Sequence, residues 1–351
     1  MSKLCDALIA GWHATATRAQ QEYGRGEPEV QAYLLLDSWK DNVLADSIQS
    51  HYPALAQSRC VVADAHFKHR ADEAPCLVCL PRALGLSVGI DTVAANEARD
   101  HLTHWLTHAW RETNQRLARQ SFSGVVLATA DAPDIAQHWV HLGHQSPPDG
   151  ATSRLFRYQD ARVMQRVWLD LAPSQRMQWL GPVIQWWALP QPWESWSFEA
   201  MTNSGGETLS VDQIKWFCAD TSEYEKRGDQ DSASTRSIRA LFDRSQWHAA
   251  HSAPSANRLW ARYADNQVSA HDQPNGEAMT RLLADGYRLG LTSTNLEDYV
   301  WCTWRIAPDD GPRERPWHSP RGTAILTHIL GALSRQPQSR FASLYAEALS
   351  H

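Results

Sequence analysis

Hydrophobic positions along the chain follow two different spacings. In the first 20 residues Leu4, Leu8, Ile9 and Trp12 recur at helical intervals, which predicts a short amphipathic helix ended by the polar Gly/Pro stretch YGRGEPE at 23–29. From there to about residue 190, short runs rich in Val, Leu and aromatic residues predict strands. They are VQAYLLLD (30–37), CVVADAHF (60–67), PCLVCL (75–80), GVVLATA (124–130) and SRLFRYQD (153–160), each bounded by Pro, Gly, Asp or Ser. Helical stretches lie between them. In ANEARDHLTHWLTHAWRETNQRLA (95–118), Leu102, Trp105, Leu106, Ala109, Trp110 and Leu117 share one arc, and in PDIAQHWVHLGH (133–144) Ile135, Trp139 and Leu142 do the same. PPDG at 147–150 marks a turn, and 163–187 reads as helix broken at Pro173.

Beyond a Pro/Gly-punctuated joint carrying Trp193, Trp196 and Phe198, the pattern is nearly all helical. Ser210 with Gln213 and Thr294 with Glu297 have capping-box spacing, so they predict helices over VDQIKWFCA and NLEDYVWCTW. Ser319–Pro320 opens a third helix with Ile325, Ile329, Leu330 and Leu333, and a last one carries Phe341, Leu344, Tyr345 and Leu349. TSEYEKRGDQDSAST (221–235) reads as a solvated loop. The predicted architecture is an N-terminal helix and linker (1–28), an α/β lobe with a mixed sheet and flanking helices (29–190), a Trp-rich joint (191–209) and an all-α C-terminal lobe (210–351). A length of 351 residues fits two domains.

Composition narrows the function classes. With 33 basic and 39 acidic residues the formal charge is −6, which argues against a phosphate-neutralising surface and hence against nucleic-acid binding. No apolar run approaches the roughly 18–20 residues of a membrane span, and the first apolar stretch, between Asp6 and Trp12, is too short for a secretory signal. Six scattered cysteines then read as reduced thiols, and the expected location is the cytoplasm. The unusual count is 17 tryptophans. Trp186, Trp187, Trp193 and Trp196 crowd the joint, with Trp301, Trp304 and Trp317 further on. An indole combines a large apolar face with one donor, so these residues either staple the two lobes together or line a groove for a partner's apolar segment.

Candidate catalytic and metal chemistry is thin. His101, His104 and His108 form a strip on the long helix, but Trp105 stands where the zinc-protease motif needs Glu after the first His. Like His138, His141 and His144 they flank an apolar arc and read as boundary residues, although six histidines on two helices meet if those helices pack antiparallel. Cys76 and Cys79 make a CxxC inside a predicted strand, where residues three apart face opposite ways and cannot share a metal. Gly85-Leu86-Ser87-Val88-Gly89 matches GxSxG, yet Pro81 and Arg82 interrupt the strand that a nucleophile elbow requires. Asp309–Asp310 and Glu297–Asp298 read as solvated acids. No metal, cofactor or catalytic residue is assigned.

The ordered series over 121–187 (strand, short helix, PDG turn, strand ending RYQDAR, helix, then GPV…W) resembles the type VI secretion effector adaptors, chaperone-like proteins encoded beside spike and toxin genes. YLLLD followed by a helix resembles that family's opening strand. Phe156, Arg157, Tyr158, Asp160 and Arg162 match its signature, close to F-R-[FY]-Y/W-D-P-R, while Gln159 and Ala161 depart. The resemblance covers about 30–190 and the remainder only in pattern. It implies a non-enzymatic cytoplasmic adaptor that binds the N-terminal or spike-docking region of a toxin and promotes its loading onto the VgrG/PAAR spike. On that reading the partner-binding residues are Trp186, Trp187, Trp193, Trp196 and Phe198, in a groove between the lobes. Arg157, Asp160 and Arg162 form either a buried ion-pair node or a charged recognition point. The competing classes are a hydrolase, using Ser87 or a histidine-bound metal, and an immunity protein that binds a toxin's C-terminal half.

Overall fold

The computed structural model describes residues 2–23, 29–81, 93–113, 120–150, 152–191, 215–220, 237–269, 272–305, 317 and 319–350. They divide into two compact units. The first holds the described residues up to 191 and those from 215 to 250; the second holds those from 251 onward.

The first unit is an α/β domain. Helix α1 (Ser2–Tyr23) precedes β1 (Gln31–Leu36), α2 (Val43–His51), α3 (Pro53–Gln57), β2 (Cys60–Val61) and β3 (Cys76–Cys79). Then come α4 (Val93–Thr113), β4 (Phe122–Ala128), α5 (Ala132–Leu142), β5 (His144–Gln145), β6 (Arg154–Leu155), α6 (Ala161–Val167), α7 (Pro173–Leu180), β7 (Val183–Ala188) and β8 (Phe217–Asp220). The six-stranded sheet has the order β2-β3-β1-β4-β7-β8, each described pairing antiparallel, and β5 and β6 form a small separate ribbon. β1 and β4 are apolar on both faces because helices cover both. On one side Ala32, Leu34, Leu36, Val125 and Leu127 pack with Leu8 and Trp12 of α1 and Leu102, Trp105 and Leu106 of α4. On the other, Trp186 of β7 meets Trp139 of α5.

Two stretches depart from the helical prediction. Residues 183–188 form β7, because once Gly181 ends α7 at φ 57° the chain pairs with β4, Trp186 opposite Val126 and Trp187 opposite Val125. At the end of VDQIKWFCA and one residue beyond, Phe217–Asp220 is the strand β8 beside β7, so this part of the segment assigned to the helical lobe adds to the α/β sheet. Pairing against an existing strand outweighs local helix propensity at both places.

The second unit is all-helical. It contains α9 (Ala253–Asp265), α10 (Gly276–Arg288), α11 (Ser293–Arg305), α12 (Pro320–Arg335) and α13 (Phe341–Leu349), while α8 (Arg244–His251) precedes it in the chain. Ser319 caps α12, its hydroxyl accepting from the Gly322 N–H, and Pro320 takes the first helical position. Leu259, Trp260, Tyr263, Met279, Leu283, Leu296, Val300, Ile329 and Phe341 make its core.

Candidate functional site

The signature residues converge at the end of β1. Leu36 closes the strand, and the backbone N–H of buried Asp37 donates to the Ser121 carbonyl at 3.1 Å, which fixes the carboxylate at the sheet edge. Arg157 Nη2 donates to Asp37 Oδ1 at 3.0 Å and Gln159 Nε2 to the same oxygen at 2.8 Å. YLLLD and FRYQDAR, about 120 residues apart in sequence, thus share one charge cluster.

Asp160 is the N-cap of α6. Its Oδ1 accepts from the Arg162 N–H at 3.0 Å and from Arg162 Nε at 2.9 Å, while Oδ2 accepts from Arg162 Nη2 at 2.8 Å. This is a bidentate pair with a cap built into it. Arg157 Nε lies 3.7 Å from the same Oδ2, so Arg157 spans both buried carboxylates. Burial alone pushes the Asp160 carboxyl up, but the charge and hydrogen bonds of Arg162, with Arg157 behind it, outweigh that and hold it down at about 2. Ala161, where the family pattern has proline, is the first residue of α6. Proline suits that position because its missing N–H is unpaired in any helix, and alanine keeps the helix start intact.

Alternation along this extended stretch separates structure from surface. Phe156 turns inward, edge-on to Trp179 and Phe242, and Tyr158 packs against Trp139. The Tyr158 hydroxyl is buried without a hydrogen-bond partner among the described residues, and burial raises its pKa well above the ordinary phenol value. Between them Arg157 points outward with 49% of its side chain exposed, whereas those of Asp160 and Arg162 are 5% and 9% exposed. The cluster is therefore an ion-pair node with one accessible guanidinium, held from behind by Asp37 and Asp160.

The remaining candidates fall elsewhere. Trp186 is completely buried and presents no surface to a partner. Strand alternation sends half-buried Trp187 to the other face, against Trp216 and over Gly11 of α1. Trp193, Trp196 and Phe198 lie outside the described residues, as do Ser87, Asp309 and Asp310. The six histidines do not meet, because α4 and α5 cover opposite faces of the sheet. His101 Nδ1 is 2.8 Å from the Tyr52 hydroxyl, His104 is exposed and His108 faces Glu112. His138 faces the Trp179 carbonyl, His141 faces Arg239, and His144 is bound to buried Asp64 at 2.6 Å. Cys76 and Cys79 lie opposite Leu36 and Tyr33 of β1 and so point to opposite faces. Among the described residues no group of three or more His, Cys, Asp or Glu is arranged to hold a metal ion, and no helix is long and apolar enough to cross a membrane.

Asp298 corrects the reading of Glu297–Asp298 as solvated acids. It is fully buried and accepts from Arg262 at 2.8 Å and from Arg340 at 2.9–3.1 Å, tying α9 and the start of α13 to α11. A glutamine network also escaped sequence reasoning. Gln145 accepts from the Leu241 N–H, and Gln175 donates to the Leu241 carbonyl and to Gln246. Nothing in the sequence distinguishes these glutamines from surface ones.

The geometry thus defines an α/β domain with a buried ionic node at a strand end. Residues 32–178 match the family model described as a domain of unknown function, DUF4123. The match takes in all of β1 but its first residue, the node and most of α7. No curated protein and no solved structure matches the chain.

Proposed function

We propose that this protein is a cytoplasmic adaptor that binds a type VI secretion effector, through the effector's N-terminal or spike-docking region, and promotes its loading onto the VgrG/PAAR spike. The reading makes it a binding protein that forms or breaks no covalent bond. One observation carries it: within the matched domain, the signature residue left exposed, Arg157, is braced by two buried carboxylates. A guanidinium fixed in this way loses little freedom when it meets a carboxylate or backbone carbonyl of a cargo chain, so pairing there costs less ordering entropy. On this reading Trp193, Trp196 and Phe198 remain the residues expected to meet the cargo's apolar side chains, with affinity from aromatic burial and partner choice from rim charge.

The test is co-purification with candidate toxin and spike proteins of a type VI secretion system. The expected result is a complex that requires the toxin's N-terminal region and weakens at least tenfold with Arg157→Glu. A monomer that ignores both partners overturns the reading. Capture of only the toxin's C-terminal half replaces it with the immunity-protein reading, and labelling of Ser87 by a fluorophosphonate replaces it with the hydrolase reading.

A further inference from the structure

Two histidines come together between α2 and α4. His51, the last residue of α2, and His101 of α4 have ring centroids 4.5 Å apart with planes inclined at 55°. His51 Nδ1 is 2.8 Å from the Ser47 carbonyl. A carbonyl only accepts, so Nδ1 carries the proton and the lone pair of the neutral ring sits on Nε2. His101 Nδ1 is 2.8 Å from the Tyr52 hydroxyl, which burial keeps protonated and whose oxygen can accept the Nδ1 proton. In the tautomer whose Nδ1–H donates to that oxygen, the His101 lone pair is on Nε2 as well. Neither Nε2 hydrogen-bonds to a described residue.

The surrounding side chains are tied to one another. Trp105 Nε1 donates to Ser47 Oγ at 2.9 Å, and the Tyr52 ring stands edge-on to both His101 and Trp105. An imidazole whose Nδ1–H is held by a carbonyl or hydroxyl while Nε2 stays free has the outer-shell arrangement of a metal ligand. An ion about 2.0–2.1 Å from each Nε2 lies about 3.2 Å from each ring centre. For an ion shared by both Nε2 atoms, rings 4.5 Å apart would subtend roughly 90°, the cis angle of tetragonal Cu²⁺ or Ni²⁺.

We propose that His51 and His101 form a two-histidine site for a late first-row divalent ion, with water completing its shell, so that the ion clamps α2 to α4. The test is calorimetric titration of the untagged full chain with Cu²⁺, Ni²⁺ and Mg²⁺, together with electron paramagnetic resonance of the Cu²⁺ complex. The expected result is one ion per chain, Cu²⁺ bound more tightly than Ni²⁺, no response to Mg²⁺ and hyperfine structure from two nitrogens. His51→Ala and His101→Ala should each weaken binding at least tenfold, and His104→Ala should leave it unchanged. His51 is exposed, so the metal-free His51→Ala variant should melt at the wild-type temperature and decides the matter alone if His101→Ala fails to fold. Absence of Cu²⁺ binding, or binding unchanged in His51→Ala, overturns the proposal.

Discussion

Replacing Asp160 with Asn tests the ionic node most directly. Asparagine caps a helix about as well as aspartate, so the start of α6 survives while the charge is lost. Arg162, with 9% of its side chain exposed, then keeps its charge but loses the carboxylate to which its Nε and Nη2 donate. Breaking a buried pair from one side costs about 3–5 kcal/mol, a large share of the roughly 5–15 kcal/mol that holds a domain folded. Removing both charges, in Asp160→Asn/Arg162→Met, takes away the buried charge left without its Asp160 partner and should return to within about 2 kcal/mol of the wild type. Urea unfolding followed by tryptophan fluorescence reads both values from the midpoint and slope. A single variant that costs less than about 1 kcal/mol, or a double variant no more stable than the single, refutes the ion-pair account.

The same node fixes the sign of the acid response. In the folded chain the Asp160 carboxyl titrates at about 2, below the ordinary 3.8. The unfolded chain therefore binds the proton first as pH falls, and the contribution, about 2 kcal/mol, is complete above 3.8 and disappears as pH drops through 2. Asp160→Asn should flatten the stability curve in that window and leave its slope above pH 5 unchanged.

Three further outcomes follow from packing. A β-carbon at Gly11 would overlap the Trp187 ring, so Gly11→Ala should cost about 1–3 kcal/mol in thermal unfolding, whereas the same change at an open helical site stabilises by up to about 1 kcal/mol; a raised melting temperature contradicts this packing. Asp298→Ala should cost less than Asp160→Asn, about 1–3 kcal/mol by urea unfolding, because the side chains of Arg262 and Arg340 are 32% and 56% exposed and can turn to water; a cost equal to that of Asp160→Asn refutes the distinction. Burial pushes the Cys76 thiol up to about 12, so an aromatic disulfide reagent should leave it unmodified in the native protein and label it in urea, with prompt native labelling as the contrary result.

What the sequence disclosed depended on whether the information was local. Ser319–Pro320 announces α12 because cap and first turn are adjacent in the chain, and the alternation in PCLVCL suffices to separate Cys76 from Cys79. β7 was hidden. VIQWW has apolar residues at spacings that suit a helix or a strand, and only the neighbouring β4 decides between them. Asp298 misled for a similar reason. Next to Glu297 near a helix start it looks like a favourable surface charge, and its burial depends on two arginines 36 and 42 residues away.

The node shows both sides of that limit. FRYQDAR was visible as a motif, and Asp160 with Arg162 two positions later is a local pair. Asp37 was visible only as the polar end of an apolar strand, yet it anchors Arg157 from 120 residues away. Without Asp37, Arg157 keeps only the longer 3.7 Å contact with Asp160 and has more rotamers to lose on contact; with it, the guanidinium is held at one end by Asp37 and at the other by Asp160. Asp37→Asn therefore separates orientation from charge. It keeps Arg157 and much of the hydrogen bonding around residue 37 but loosens the guanidinium, so cargo capture should weaken while Arg157 stays exposed. An affinity for the toxin's N-terminal region equal to wild type in Asp37→Asn, alongside a clear loss in Arg157→Glu, would mean that recognition needs the charge and not its bracing.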